Sequence, residues 1–203
     1  MTFTLKRLSE INREKVLQHF LRLDSQSRSS RFCTSSNDDN LIAYVNKIDF
    51  KNGIFGIFNE NLDIIGVGEC VFFNEKEKLS AEVAFTIEKE YQGNGLGNKL
   101  MKRVVQYANS KDVHELHMYC IKTNQAIVHL AKKYKLVPQY DGTEISGVVK
   151  TPDISPFVSS LNEQFEDNVA TFELAITYQQ KLIKDQINLF EENSTLVTKM
   201  FTQ

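Results

Sequence analysis

The segment Gln92-Gly93-Asn94-Gly95-Leu96-Gly97 lies between an apolar strand pattern and a helical pattern. Glycines at alternate positions let the backbone turn sharply into a helix with no side chain in the way. The first N–H groups of a helix have no partner inside it and lie at its positive end, so they bind phosphate well. The stretch therefore predicts an anion-binding loop.

Two other phosphate-binding loops are excluded. Gly97 is followed by Asn98 and Lys99 rather than by the Lys-Ser or Lys-Thr of a P-loop. The glycine spacing also differs from the dinucleotide fingerprint, and the strands before it form a meander rather than a βαβ unit. A glycine-rich helix start that binds nothing remains an alternative, although Ser, Thr, Asp and Asn are the usual residues there.

The apolar pattern upstream of this loop predicts two helices and four strands. The predicted elements are a strand at 2–6, a helix at 9–24, a Ser- and Arg-rich loop at 24–37, a helix that begins at Asn37 or Asp38, and antiparallel strands at 53–58, 62–73 and 79–87. The residues expected to face inward from the two helices are Ile11, Val16, Phe20, Leu23, Leu41, Ile42, Val45 and Ile48.

Downstream, helical and strand patterns alternate before a helical tail. The predicted elements are a helix through Leu96 and Tyr107, strands at 115–121 and 145–149, a helix at 124–134 and a long helix at 157–192. The order predicts an α/β (α+β) fold, with a mixed, mostly antiparallel sheet flanked by helices. We expect a catalytic domain at 1–152 and a helical C-terminal extension at 153–203.

The composition excludes several classes of protein. With 24 basic and 26 acidic residues among 203, the net charge is −2, so a polybasic nucleic-acid-binding protein is not expected. No apolar run approaches the roughly 18 residues of a membrane span, and the mixed first residues do not resemble a signal peptide. Cys33, Cys70 and Cys120 have no metal-binding or CxxC spacing, which predicts reduced thiols in a cytoplasmic protein without a metal.

The pattern Gln-x-x-Gly-x-Gly at 92–97 resembles the coenzyme A pyrophosphate loop of the GNAT superfamily of N-acetyltransferases. The segment 81–87 looks like that family's fourth strand, Asn124 opens what looks like its last conserved helix, and the element order is similar from 2 to 150. The segment 81–100 is most similar to the GNAT domain of bacterial protein-lysine acetyltransferases.

The resemblance implies that acetyl-CoA is a co-substrate, with its pantetheine arm along the backbone of the fourth strand and its pyrophosphate on the glycine loop. The residues it assigns to acetyl-CoA are Phe85, Thr86, Ile87, Gln92, Gly93, Asn94, Gly95, Leu96, Gly97, Asn98 and Asn124. The nearby basic residues either meet the coenzyme's phosphates or form solvated helix faces, and we favour the second reading for most of them. These residues are Lys99, Lys102, Arg103, Lys132 and Lys133.

The implied activity is transfer of the acetyl group to a primary amine, of a protein lysine or a small molecule, by direct attack in a ternary complex. An ammonium has no lone pair, so a base or a path to water must remove its proton. Glu82 is the first candidate base, because its neighbours Ala84 and Thr86 are small enough to admit a substrate; an exposed strand glutamate is the alternative. Glu69 is the second, a lone carboxylate on an apolar stripe, which should be paired or have a raised pKa, unless it is an exposed charge at a sheet edge.

One position departs from the family pattern. Many GNAT enzymes place a tyrosine general acid seven residues after the helix-opening asparagine, and here that residue is Ala131. Tyr134, three residues on, is expected to pack against the core. The thiolate would then take its proton from water or from the product ammonium. A non-catalytic module that senses acyl-CoA is the alternative function, and an interaction protein acting through its tail is a third.

The remaining predictions concern the histidines and the helical tail. His114 and His117 should point to opposite faces of a strand, and His19 and His129 to the surface or the core edge. In the tail, apolar residues recur near the 3.5-residue period of paired helices, at Leu161, Phe165, Val169, Phe172, Ile176, Ile183 and Phe190. We expect a homodimer contact there, with a fold-back of 194–201 or packing on the chain's own domain as alternatives. Gln179 and Gln186 interrupt the apolar pattern, which favours a break or bend near Gln179.

Overall fold

The computed structural model describes residues 3–32, 36–75, 78–113, 115–121, 124–141, 144–152 and 154–201. The described residues form seven strands and six α-helices. The strands are β1 (Thr4–Arg7), β2 (Gly53–Phe58), β3 (Ile64–Glu75), β4 (Lys78–Ile87), β5 (Glu115–Ile121), β6 (Val137–Asp141) and β7 (Glu144–Lys150). The helices are α1 (Arg13–Arg22), α2 (Ser25–Phe32), α3 (Asp38–Asn46), α4 (Leu96–Ser110), α5 (Gln125–Lys133) and α6 (Pro156–Phe201).

The strands form one sheet in the order β1-β2-β3-β4-β5-β7-β6. Every neighbouring pair is antiparallel except β4 and β5, which are parallel, so the predicted mixed, mostly antiparallel sheet is confirmed. β4 pairs with β5 only from Ala81 to Val83, whereas on its other side it pairs with β3 as far as Ile87. The C-terminal half of β4 therefore lies at an opening in the sheet.

Helices cover both faces of the central strands. On one face, α1 and α3 pack Val16, Phe20, Leu41 and Val45 against β2 and β3. On the other face, α4 contributes a buried stripe that includes Leu96, Leu100, Val104 and Ala108. Because both faces are covered, β2 reads as the almost wholly apolar run Gly-Ile-Phe-Gly-Ile-Phe, and all six of its residues are buried.

Two elements were not predicted from the sequence. The Ser- and Arg-rich segment predicted as a loop contains α2, none of whose residues is buried, so it carries no apolar stripe to detect. Its start is held by the Asp24 carboxylate, which accepts from the Ser27 N–H at 2.6 Å. β6 contains Pro138, and proline is rare inside a sheet. It is tolerated here because β6 is an edge strand.

The burial of three residues differs from the sequence prediction. Ile11 is 88% exposed, because it lies in a short 3-10 turn before α1 and not on the α-helical face. Ile42 is also exposed, whereas His19 is completely buried. The predicted start of α3 is confirmed, since the Asn37 side chain accepts from the Asn40 N–H at 2.9 Å.

The tail is a single helix of 46 residues, about 69 Å long. Of the predicted break or bend near Gln179, the break is wrong, because α6 runs through this position without interruption. The segment 194–201 continues the same helix instead of folding back. The N-terminal half of α6 packs along α4 and β1, so a division of the chain at 152 remains a proposal. Lys181 still reaches the domain, where its Nζ donates to the Asn61 carbonyl at 3.1 Å. No helix in the described ranges has the length and apolarity to cross a membrane.

Candidate active site

A cleft of about 740 Å³ lies between the end of β4, the glycine loop, α2 and α5. It brings together residues predicted to hold acetyl-CoA that are up to 39 positions apart in the chain. Those that line the cleft are Phe85, Thr86, Ile87, Gln92, Gly93, Gly95, Leu96, Gly97, Asn98 and Asn124. Asn94 is the predicted residue outside the lining.

The backbone of the glycine loop explains two of its glycines. Gly93 and Gly95 have φ angles of 78° and 73°, in the left-handed region that strains other residues. A Cβ atom at either position would meet no atom within 4 Å, so conformation and not crowding requires glycine there. Gly97 is helical, and its added Cβ would make an ordinary contact of 3.9 Å with Ile87.

Two polar side chains hold the loop in shape. The Asn94 amide donates to the Tyr91 carbonyl at 3.1 Å, which explains why this side chain folds onto the loop instead of lining the cleft. The Gln92 amide donates to the Ile87 carbonyl at 2.9 Å and so joins the loop to the end of β4. The start of α4, with its unsatisfied N–H groups, is thereby fixed at one end of the cleft.

Phe85, Thr86 and Ile87 lie where β4 has separated from β5. An extended ligand can add to such a strand edge through main-chain hydrogen bonds. Asn124 lies across the opening as the N-cap of α5, where its side-chain oxygen accepts from the Ile127 N–H at 3.2 Å. Its amide nitrogen can donate to a ligand in the cleft.

A second cleft, of about 250 Å³, adjoins the first and contains Glu82. The two clefts share Arg31, Phe85 and Asn124 as walls. Ala84 lines the smaller cleft beside Glu82, whereas Thr86, the other small neighbour, lines the larger one. Glu82 is exposed. This exposure suits a residue that exchanges protons with solvent, but a strand glutamate without a catalytic role would be exposed as well.

Glu69 is buried and paired. Its Oε1 accepts from Arg31 Nη2 at 2.6 Å and its Oε2 from the Tyr44 hydroxyl at 2.8 Å. The predicted pairing of this carboxylate is therefore present, and the alternative of an exposed sheet-edge charge is wrong. Burial, together with the charge of Glu69, raises the pKa of Tyr44. Burial alone would lower the pKa of Arg31, but the Glu69 carboxylate raises it overall.

A buried network at the end of β4 was not predicted from the sequence. His19 is within 3.0 Å of Glu88 through Nδ1 and within 2.8 Å of the Thr86 hydroxyl through Nε2. Burial lowers the pKa of His19 despite the opposing effect of Glu88, so we assign a neutral ring that donates to Glu88 and accepts from Thr86. Arg22 also donates to Glu88, at 2.9 Å.

This network keeps Glu88 ionised. Burial would raise the pKa of Glu88, but the hydrogen bonds from His19 and Arg22 outweigh it and lower the pKa. The network ties the end of β4 to α1 next to the larger cleft. Its members are 66 to 69 residues apart along the chain, and no local pattern signals such a pairing.

The position of the expected tyrosine is occupied by the buried Ala131. Tyr134 packs against the core, as predicted, and its hydroxyl donates to the Asn98 side-chain oxygen at 3.3 Å. Burial raises the pKa of Tyr134. The Tyr134 hydroxyl is thus committed to the start of α4.

The basic residues divide between the cleft and the tail. Lys89, Lys133 and the exposed His129 line the larger cleft, where they favour an anionic ligand. Arg103 is buried against carboxylates of α6 and is not available to a phosphate in the cleft. His114 and Cys33 lie outside the described residues. Cys70 and Cys120 are buried, and burial raises the pKa of Cys70 to about 12.

Comparison with known proteins identifies the family. The sequence profile of the acetyltransferase (GNAT) family matches residues 14–135, and the chain belongs to this family. The chain is therefore an acetyltransferase of the GNAT type, and the resemblance noted in the sequence is confirmed.

Solved structures share the fold at low sequence identity. The GNAT domain of S. lividans PAT has a TM-score of 0.61 at 11% identity, over 72% of this chain and 89% of that one. Spermidine N-acetyltransferase from Vibrio cholerae, in complex with CoA and spermine, has a TM-score of 0.57 at 21% identity, over 73% and 95%. Ribosomal-protein-S5-alanine acetyltransferase from Vibrio fischeri has a TM-score of 0.59 at 12% identity, over 75% and 95%.

Proposed function

We propose that this protein transfers the acetyl group of acetyl-CoA to a primary amine, by direct attack of the amine in a ternary complex. The observation that carries the proposal is the pair of joined clefts at the separation of β4 and β5. The larger cleft ends at the glycine loop, and the smaller one contains a carboxylate. A coenzyme and an acceptor can therefore approach the same point from opposite sides.

The larger cleft suits the coenzyme. The N–H groups at the start of α4 can donate hydrogen bonds to the pyrophosphate, and Lys89 and Lys133 add positive charge at the lining. The open edge of β4 at Phe85–Ile87 can pair with the pantetheine arm, which would bring the thioester toward Ala84 and Glu82. Asn94 would act on the loop and not on the coenzyme.

The chemistry needs one proton removed and one returned. The amine nitrogen forms a bond to the acetyl carbon while the carbon–sulfur bond breaks, and the sulfur leaves as a thiolate. Before the attack, Glu82 accepts one proton of the substrate ammonium, directly or through water, which frees the lone pair of the nitrogen. The thiolate then takes a proton from water or from the product ammonium, since Ala131 offers no hydroxyl.

Glu69 is better suited to a positioning role than to that of the base. Each of its oxygens already accepts a hydrogen bond, from Arg31 or from Tyr44. This pairing fixes Arg31 at the wall shared by the two clefts. We therefore propose that Glu69 holds Arg31 in position, while Glu82 stays the first candidate base.

The acceptor is a protein lysine or a small-molecule amine. Spermidine N-acetyltransferase from Vibrio cholerae and ribosomal-protein-S5-alanine acetyltransferase from Vibrio fischeri share the fold, and their names give a small-molecule amine and a protein as acceptors. Neither acceptor class is favoured over the other. The reduced, metal-free cysteines expected from the sequence support a cytoplasmic location. The loss of the expected tyrosine at Ala131 is the observation that favours the second candidate function, an acyl-CoA sensor without turnover.

Thermal shift and thiol release test the proposal together. Acetyl-CoA at about 100 times its dissociation constant should stabilise the protein by about 2.7 kcal/mol, and the amine-dependent release of CoA should follow for at least one acceptor class. The panel is spermidine, a lysine-containing peptide, a peptide with a free N-terminal alanine, and a tertiary amine as the unreactive control. Stabilisation without release on any amine would favour the sensor, and no stabilisation would contradict both functions.

A further inference from the structure

α6 carries its apolar residues on the side that faces away from the domain. Phe165 and Phe172 are each 69% exposed and Phe190 is 75% exposed. The large apolar residues exposed on this side are Phe157, Leu161, Phe165, Val169, Phe172, Ile176, Ile183, Ile187 and Phe190. A monomeric soluble protein rarely exposes so long a contiguous apolar surface.

These residues form one stripe along the helix. From Leu161 to Phe190 an apolar residue recurs at every turn except at Gln179, with eight intervals over 29 residues. The period is about 3.6 residues, that of an ordinary α-helix, and not the 3.5 of the sequence prediction. Ile187 continues the stripe past Gln186. The stripe is about 43 Å long.

The charged residues of α6 lie on the other side. At about 100° per residue, the stripe covers about 0° to 80° from Leu161, and every charged residue of 154–192 lies between about 120° and 240°. These residues are Glu163, Glu166, Asp167, Glu173, Lys181, Lys184, Asp185, Glu191 and Glu192.

Ion pairs and hydrogen bonds attach this charged side to the domain. Arg103, only 3% exposed, contacts Glu163 at 3.2 Å and Asp167 at 2.6 Å. The Thr4 hydroxyl donates to Glu173 at 3.1 Å. α6 therefore meets its own domain mainly through polar groups, together with the buried Ala170 and the partly buried Leu174, and presents its long apolar stripe to the outside.

We infer that the outward stripe of α6 binds the same stripe of a second copy of the chain. A stripe without charge is complementary to itself, as a two-fold interface requires. Two helices packed over about 43 Å bury on the order of 800 Å² per partner, the size of a standard stable interface. A shallow groove of about 260 Å³ beside Phe165 and Val169, lined also by Leu5 and Lys99, offers a place for a side chain of the partner.

Other occupants fit the charges less well. Helices that lie on a membrane surface are rich in Lys and Arg, whereas only three of the ten charged residues of α6 are positive. The same acidic excess disfavours nucleic acid. The inference does not depend on the proposed catalytic function, because none of the stripe residues lines either cleft of the active site.

Sedimentation of the full chain with matched variants tests the inference. The parent should be a dimer at tens of micromolar, and the double variant Phe172→Glu, Ile183→Glu should be a monomer with unchanged acetyl-CoA binding. Asn188→Glu adds a charge to the opposite, exposed side of the same helix and should leave the dimer intact.

Two results would overturn the inference. A monomeric parent would do so, and its co-sedimentation with phosphatidylserine-containing vesicles would assign the stripe to lipid instead. A double variant that remains a dimer would place the interface elsewhere. If the glutamates unfold the chain, Phe172→Gln with Ile183→Gln replaces them, since the helix already carries glutamine in the stripe at Gln179.

Discussion

Two carboxylates on the same face of the sheet have opposite surroundings. Glu82 is exposed in the smaller cleft, whereas Glu69 is buried and holds Arg31 and Tyr44. The sequence indicated both residues, because each interrupts a strand pattern near the predicted acetyl-CoA loop. It could not rank them on contacts, because the partners of Glu69 lie on α2 and α3, 38 and 25 residues away.

Replacing Glu82 tests its role as the base. Glu82→Gln should lower the turnover number by on the order of 10²–10⁴-fold, because the amine loses its proton acceptor, with little change in acetyl-CoA affinity. The rate of the parent should rise with pH through an ionisation that the variant lacks. Turnover and affinity are measured from pH 6 to 9, with the exposed Glu60→Gln as the control. Equal turnover of parent and variant would assign proton removal to water.

Breaking the pair at Glu69 should affect stability first. Glu69→Gln leaves the buried guanidinium of Arg31 without its counter-charge, which should lower the free energy of unfolding by roughly 3–5 kcal/mol. Urea unfolding of parent and variant measures the loss. If Glu69→Gln keeps the parental stability but loses turnover and the pH dependence of turnover, Glu69 would be the base instead.

Gly97 is the loop glycine at which a substitution can block the coenzyme with the least strain on the backbone. Its backbone is helical and an added Cβ makes only ordinary contacts, whereas a substitution at Gly95 would be strained by the positive φ. Gly97→Glu places a negative charge in the first turn of α4, which favours the helix but repels the pyrophosphate. We expect acetyl-CoA affinity to fall in the order Gly97→Ala, Gly97→Gln, Gly97→Glu. All three variants should have a melting temperature equal to or above that of the parent. Calorimetric titration measures the affinities, and equal values for the three would move the pyrophosphate away from α4.

At the scale of the elements, the sequence predicted those that carry apolar periodicity. β2, β3 and β4 were predicted to within two residues, since alternating and continuous apolar runs define them. α2 has no buried residue and β6 contains a proline, so neither shows the signal on which such a prediction rests. The same limit applies to the site, where the loop glycines were visible but the pairing of Arg31 with Glu69 was not.

The contact between α4 and α6 carries an ionisable group with an unusual pKa. Burial raises the pKa of Glu163 to about 7, and Asp167 and Glu166 add to this effect while Arg103 opposes it. A raised folded-state pKa means that the folded chain binds more protons than the unfolded chain between about pH 4.5 and 7. The contribution of Glu163 to stability is therefore present below about pH 4.5 and is lost as the pH rises to 7.

Glu163→Gln should remove this pH dependence. The variant should be more stable than the parent by roughly 1–3 kcal/mol at pH 8 and nearly equal to it at pH 4.5, because glutamine carries no charge to bury. Urea unfolding at a fixed protein concentration measures the difference at both pH values. Glu192→Gln, an exposed carboxylate of the same helix, should change nothing. A loss of stability in Glu163→Gln at pH 8 would mean that the ion pair with Arg103 outweighs burial.

At the scale of the whole molecule, α6 extends past the domain that supports its first half. Lys181 makes a contact with the β2–β3 turn, and the 20 residues from 182 to 201 continue as helix beyond that contact. A helix of this length is marginally stable in water without packing. The outward stripe runs through both halves, so pairing with a second copy would stabilise the part that the domain does not reach.

Hydrogen exchange along α6 tests this coupling of assembly to helix stability. In the parent, amides of 182–192 should exchange at least roughly tenfold more slowly than in the double variant Phe172→Glu, Ile183→Glu, because only the dimer covers this half. Amides of 159–170, held by Arg103 and β1, should be protected in both proteins. Asn188→Glu should show the parental pattern. Equal exchange of 182–192 in parent and double variant would mean that this half of the helix is stable by itself, and the stripe would then need a partner for reasons other than helix formation.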